Sequence, residues 1–544
     1  MTEQQPTDHT EYLEAGGGAP LPPEPTGRRS RRTAWLVGGG VIGALAIGAG
    51  AWAALSFFQQ GAQPAEALPA STIAYLSLDL DPSGSQKIDA FRTLDKFPAF
   101  KDKIGIHSAD DVRRKIGEEL IKSTGCNLTF DADIDPWLGD RAAIAAVDLG
   151  DPQPDPVLVV QAKDDAKADS GVHELLNCGD NPMADVGYDV HNGWVVIAQS
   201  QDVADKAVAA ADKATLADDA TYQKWTKAVG ESGVVNMYAA PAAGDYLAHQ
   251  LNQLEGAFGG LSLLGDQGQT TIEPAVTQDG SSALDGALKD FQGAAATIRF
   301  TGDGLEFATA SDPHLSHSNV TTDQGGAVVS GLPDDTAAAF GIGLEPGWVV
   351  QLANRFATYT GGSQTGQDLL DQLTQESGLD VPADIETLLG SSSALSVSKD
   401  FDYESAVQSS DGKGVPVAFT VRGDAAAIEK VLAKLRAQDS SSTSALDSDS
   451  SGGLVAIGPT AAYRQQILSG GHLGDTDAFR SVIPDAAHAS MVLYVNIDDL
   501  EHAITQASAD DKDIIDNITP LQAIGLSSWM DGEVARTSLM ISTN

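Results

Sequence analysis

Cysteine is nearly missing from this chain of 544 residues, with only Cys126 and Cys178 present. That scarcity excludes a disulfide-rich scaffold, and two distant thiols with no histidine cluster beside them do not make a zinc site. Basic residues are also short, with 33 Lys and Arg against 76 Asp and Glu, a net charge of -43. A surface of that sign repels phosphate backbones, which excludes nucleic acid as a partner, and it also keeps an exported protein soluble. No GxSxG, HExxH, Walker loop, SxxK with its partners or GxGxxG in a strand-to-helix setting occurs, so no catalytic residue, cofactor or metal is assigned. His314 and His317 form a close pair in a polar stretch without an acid or thiol beside them, which is weak metal chemistry. Long apolar runs are lacking too, with one exception.

That exception is residues 34–58, AWLVGGGVIGALAIGAGAWAALSFF, without a charged side chain. As a helix it would span ~37 Å against roughly 30 Å of hydrocarbon, so it is expected to cross a membrane. Arg28, Arg29, Arg31 and Arg32 precede it and the next basic residue is Lys87. The asymmetry puts residues 1–33 in the cytoplasm as a disordered, Pro- and Gly-rich tail, and everything after the helix outside the plasma membrane. Trp35 at one end, with Trp52, Phe57 and Phe58 near the other, suits interfacial belts. The spacing of Gly39 and Gly43, and of Ala44 and Gly48, would let two such helices form a weak homodimer, although plain Gly/Ala richness gives the same pattern. A cleaved export signal ending at Ala65-Glu66-Ala67 is the alternative.

Residues 59–67 read as a linker, and a globular pattern begins at Leu68. STIAYLSLDL, RAAIAAVDL and DPVLVVQAK read as strands, and YDVHNGWVVIAQ as a hairpin turning at Asn192-Gly193. The order of motifs then repeats. LPASTIAYLSLDLDP from Leu68 matches LPDDTAAAFGIGLEP from Leu332, and ADIDPWLG from Ala132 matches ADIETLLG from Ala383. DPVLVVQAK from Asp155, LADDATY from Leu216 and TGDGLEF from Thr301 find counterparts from Val415, from Leu473 and around Asp531, in the same order. The expected fold class is therefore α+β: a transmembrane helix, then two tandem copies of one mixed, mostly antiparallel sheet-plus-helix domain. The copies occupy 68–312 and 332–544 with a linker at 313–331, and the first holds an extra surface loop around GDQGQTTIEPAVTQDGSS.

Asp131, Asp133 and Asp135 open like a calcium loop, but Pro136 stands where that loop needs glycine and Ala142 where it needs glutamate. Asp133 or Asp135 is expected to cap a helix with Pro136 in its first turn, and Gly139 and Gly390 to stop helices. Cys126 and Cys178, both on the exported side, are expected to form a disulfide.

The tail, the single anchor and an exported α+β region carrying an Asp-Ile…Leu-Gly step before a strand, at Asp133 to Gly139 and Asp384 to Gly390, resemble a functionally uncharacterised family of single-pass bacterial envelope proteins of high-GC Gram-positive type. The resemblance implies envelope location and supplies no catalytic residues. Function is expected to be non-catalytic ligand binding or scaffolding toward an unknown envelope ligand or protein partner. The alternatives are an extracytoplasmic hydrolase without a recognisable motif and a carrier of an apolar molecule.

Overall fold

The computed structural model describes residues 62–80, 84–97, 113–114, 117–118, 121, 126–178, 186–244, 246, 290–313, 321–359, 364–409, 412–438, 443–508 and 512–544. The expected membrane helix 34–58, the pair His314 and His317 and the expected loop after Leu264 lie outside them. Among the described residues no helix is long and apolar enough to cross a membrane.

Strands come from short apolar runs bounded by Gly, Pro, Asp and Asn. The first half contributes β1 (Thr72–Asp79), β2 (Leu138–Val147), β3 (Asp155–Ala162), β4 (Gly187–His191), β5 (Trp194–Ala198), β6 (Val235–Ala239), β7 (Ala294–Phe300) and β8 (Gly304–Ser311). The two-residue β9 (Thr321–Thr322) follows. The second half contributes β10 (Thr336–Leu344), β11 (Ser392–Ser398), β12 (Val417–Arg422), β13 (Ser448–Ser451), β14 (Leu454–Ile457), β15 (Ala489–Asn496), β16 (Leu521–Asp531) and β17 (Val534–Thr543). The expected hairpin is β4–β5, with positive φ at both Asn192 and Gly193; Gly452 and Gly453 turn β13 into β14 in the same way.

All pairings are antiparallel. In space the order runs β4, β5, β3, β2, β1, β6, β7, β8, then β17, β16, β15, β10, β11, β12, β14, β13, with β9 on the end of β10. The expectation of two tandem domains, each with its own sheet, is therefore corrected. β8 pairs with β17 from Gly304↔Ser542 to Ser311↔Ala535, which makes one sheet of 17 strands. Phe57–Asn544 is one compact unit. The physical reason is edge satisfaction: β8 and β17 each close a hairpin at the rim of their half, and pairing them removes two exposed edges. Two side-chain bonds tie the same seam. Ser538 donates to Glu306 Oε1 at 2.9 Å, and Arg536 donates to the Ala228 carbonyl. Within each half the strands follow one pairing order, β1–β8 matching β10–β17. The stretch expected to be a linker carries β9 and the helix Gly325–Ser330, whose Val328 and Val329 are buried.

One face of the sheet is the core. In the first half Tyr75, Val157, Val159, Val196 and Tyr238 point into it beneath the helices Gln201–Ala211 and Ala220–Val229, which bring Ala207, Tyr222 and Trp225. In the second half Ala339, Ala394, Val492 and Tyr494 meet Val329, Tyr463 and Phe479 from three further helices. Tyr222 meets Tyr75 and Tyr238 edge-on, with ring centroids 5.9 and 5.1 Å apart. Small residues on these strands let the helices approach closely.

Candidate binding face

β-strand side chains alternate, so the residues between the core positions form the opposite face of the sheet. Their composition is unusual for an antiparallel sheet, where the outward face is commonly polar. Followed across fourteen strands by register, one row reads Val195, Val160, Ala142, Leu78, Val235, Ile298, Phe307, Leu539, Leu526, Leu493, Phe340, Leu395, Phe419 and Ile457. Every member is apolar. The adjacent row runs Ile197, Leu158, Ile144, Leu76, Met237, Ala296, Thr309, Thr537, Ser528, Met491 and Ile342, again without a charge. Its hydroxyls partner one another, Ser528 Oγ lying 3.0 Å from Thr537 Oγ1.

At the two ends these rows are roofed. Val195 packs with Val172, Leu175 and Leu176 of the helix Asp165–Asn177, and Ile457 with Ile428 and Leu432 of the helix Ala425–Gln438. Between the roofs, away from β7 and β8 where the helix Gly84–Leu94 packs, apolar side chains meet solvent. Leu76, Ile144 and Leu158 are 42%, 54% and 40% exposed, and Phe340, Leu395 and Leu493 are 40%, 52% and 38% exposed. These six form two patches that share the β1–β2 and β10–β11 places of the pairing order, the first extending to β3 and the second to β15. Exposed apolar surface of this extent marks a place where something else docks.

The charged groups are spent elsewhere. Arg141 and Asp79 form a buried pair at 2.9 Å, and Arg141 also donates to the Ala62 carbonyl. Arg299 pairs with Glu306 at 2.7 Å, and Arg464 with Asp449 at 2.8 Å. All three hold elements in register. A small pocket of about 20 Å³ beside Tyr75, Ser77, Tyr222 and Asn236 has room for about one water, not for a substrate. Burial pushes the Tyr75 hydroxyl up to about 12 and raises Tyr222 well above the usual phenol range. These phenols are therefore neutral structural groups.

The residues singled out from sequence fall as follows. Cys126 and Cys178 are joined, their Cα atoms 5.4 Å apart. The disulfide staples the segment before Phe130–Ile134 to the end of the helix Asp165–Asn177. The aspartates of the calcium-like loop are occupied by protein. Asp131 meets Arg114 at 2.6 Å, Asp135 meets Arg113 at 2.5 Å, and Asp133 accepts from the Thr129 N–H at 2.7 Å. Neither Asp133 nor Asp135 caps an α-helix as expected. Phe130–Ile134 is a single π turn, and Gly139 lies inside β2, whereas Gly390 does end the helix Ala383–Leu389 with φ +61°. The reason is Pro136, which sits in a turn leading straight into the strand. Among the described residues no group of three or more His, Cys, Asp or Glu could hold a metal.

Among the described residues His191 pairs with Asp212 at 3.1 Å and His488 with Asp485 at 2.6 Å. Both are exposed, and among the described residues neither imidazole meets a hydroxyl or thiol. The apolar face itself was missed from sequence. Its signal was there in strands such as TIAYLSLD and DPVLVVQA, apolar at both parities, but that pattern ordinarily means burial on both faces.

A family profile described as "Protein of unknown function (DUF3352)" matches residues 35–450, well over half of the chain. The chain belongs to the DUF3352 family. No curated protein and no solved structure is recognisably similar to it. Membership in DUF3352 agrees with the resemblance to an uncharacterised family and assigns no chemistry, so the sheet face must be read on its own physical terms.

Proposed function

We propose that this protein is a non-catalytic binding protein of the cell envelope, tethered to the plasma membrane through residues 34–58 with the remainder outside, and that it binds through the open face of its sheet. One observation carries the binding reading: the uncharged, half-exposed rows through Leu76 and Phe340. Keeping so many aliphatic side chains in water is unfavourable by about 25 cal/mol per Å² of apolar area, and a partner that covers them recovers that energy. The tether rests on the uncharged run and the four arginines before it. The hydrolase alternative has no supporting constellation among the described residues, since neither imidazole pair adjoins a nucleophile.

Cysteine labelling tests both parts. The native cysteines are joined, so a single introduced cysteine is the one reactive thiol. A membrane-impermeant maleimide applied to intact cells should label Val407→Cys, on an exposed helical site, at full rate. Leu76→Cys and Ile144→Cys should react at least tenfold more slowly in the intact envelope than in the purified protein. Equal rates in both settings would refute binding at this face, and no labelling of Val407→Cys in intact cells would refute the topology.

A further inference from the structure

We infer that the open face takes the alkyl chains of a neutral or zwitterionic amphiphile, with one site on the patch of Leu76, Ile144 and Leu158 and a second on that of Phe340, Leu395 and Leu493. The inference rests on the binding reading above and names its ligand.

Hydrogen bonding decides the class of ligand. The two rows offer no charged group, and the hydroxyls of Ser528 and Thr537 lie together at the middle, away from both patches. A docked extended segment or loop brings unpaired backbone N–H and C=O groups, and a protein interface satisfies them with about one hydrogen bond per 100–200 Å². This face would leave such groups unpaired, which is costly. An alkyl chain asks for no hydrogen bond.

Neither patch lies at a strand edge. β1 is paired on both sides by β2 and β6, and β10 by β11 and β15, so neither patch can extend its ladder with an incoming strand. The occupant must lie across side chains alone. From β3 to β1 the first patch spans two inter-strand steps, about 10 Å at roughly 4.8 Å each, which suits a stretch of alkyl chain laid across the strands.

Charge selects the headgroup. The chain carries a net -43 with none of that charge in the rows, so the face accepts an uncharged tail while the surrounding field repels an anionic head. The same field disfavours a second copy of the chain as the occupant. A supply of amphiphile is close at hand in the proposed setting, because only residues 59–61 separate the uncharged run from the first described residue.

The test uses the full chain reconstituted in phosphatidylcholine vesicles doped with a phosphatidylcholine bearing a photoactivatable group in its acyl chain. Adducts are mapped by mass spectrometry. Adducts are expected in β1–β3 and in β10, β11 and β15. Leu76→Ser should cut labelling of the first patch at least fivefold and leave the second unchanged, Phe340→Ser should do the reverse, and Leu76→Met should retain labelling. Circular dichroism of each variant controls for folding. A phosphatidylglycerol version of the probe should label at least fivefold less. Adducts confined to residues 34–58, equal labelling by the anionic probe, or protein–protein crosslinks between copies at Leu76 would each overturn the inference. If Leu76→Cys is protected in the envelope yet no sheet residue takes the lipid probe, the ligand class fails and the binding reading stands.

Discussion

Leu539 stands opposite Phe307 across the ladder that joins the two halves of the sheet, and both lie in the apolar row on the open face. This contact sits at the seam where β8 and β17 give up their free edges to each other. The halves therefore share a ladder that neither can keep alone, and their unfolding should be coupled. With tryptophan retained only at Trp225 in the first half, or only at Trp529 in the second, denaturant curves should coincide. Thr309→Pro, which puts proline into a central strand of the seam, should destabilise both probes by about 3 kcal/mol or more. Two separated transitions in the unsubstituted sheet would show that the seam does not couple the halves.

The two faces of the sheet should respond oppositely to truncation. Trp225 is fully buried and its indole donates to the Gln292 carbonyl at 2.8 Å, so Trp225→Ala should cost about 3–5 kcal/mol. Leu76→Ser and Leu395→Ser remove side chains that already meet water, and each should change stability by less than about 1 kcal/mol. Chemical denaturation of the three variants checks this. A loss at Leu395 as large as that at Trp225 would mean that the open face is covered within the chain.

The disulfide between Cys126 and Cys178 closes a separation of 52 residues. In the chain-entropy account, breaking it should destabilise the fold by roughly 4 kcal/mol. The Cys126→Ser, Cys178→Ser double variant should show that loss in equilibrium unfolding, and the unreduced protein should yield no titratable thiol. Two free thiols without reductant would contradict the bond.

Alkaline stability should depend on the tyrosine cluster. Burial raises the folded-state Tyr75 from 10.0 to about 12, and raises Tyr222 as well. A group whose folded pKa lies above its unfolded one gives stability that is complete below the unfolded value and is lost as pH rises through the folded one. Tyr75 therefore contributes below pH 10, and the contribution, worth about 3 kcal/mol for a two-unit shift, fades between about pH 10 and 12. Tyr75→Phe has nothing to ionise and should lose less stability over that interval than the unsubstituted chain. Thermal melts at pH 8 and pH 11 check the difference, and an unchanged slope would remove Tyr75 as its source.

At the acid end Glu429 makes the opposite contribution. Arg436, whose Nη1 lies 2.6 Å from Oε1, holds the carboxyl below its usual range, with Ser448 adding a hydrogen bond. Its share of stability is present above the unfolded value near 4.5 and is lost as pH falls through the lower folded one. Glu429→Gln should flatten the loss of stability below about pH 4.5, by less than about 1 kcal/mol because half of the side chain is exposed. A steeper loss in the variant would contradict the assignment.

By itself the sequence determined what local chemistry controls. Asn192-Gly193 made a hairpin turn because both positions take positive φ, Gly390 ended a helix for the same reason, and the two lone cysteines had only each other. The short apolar runs TIAYLSLD and DPVLVVQA made strands. What only the tertiary structure decided was which edges met and which faces stayed open. The β8–β17 seam is a contact between residues more than two hundred positions apart, so no local pattern announces it and two sheets became one. Pro136 likewise looked like a helix start until its turn was seen to run into β2. The binding face follows the same logic: Leu76 and Tyr75 are both apolar neighbours in one strand, and only the placement of the helix carrying Tyr222 on one side decides that Tyr75 is core and Leu76 is surface.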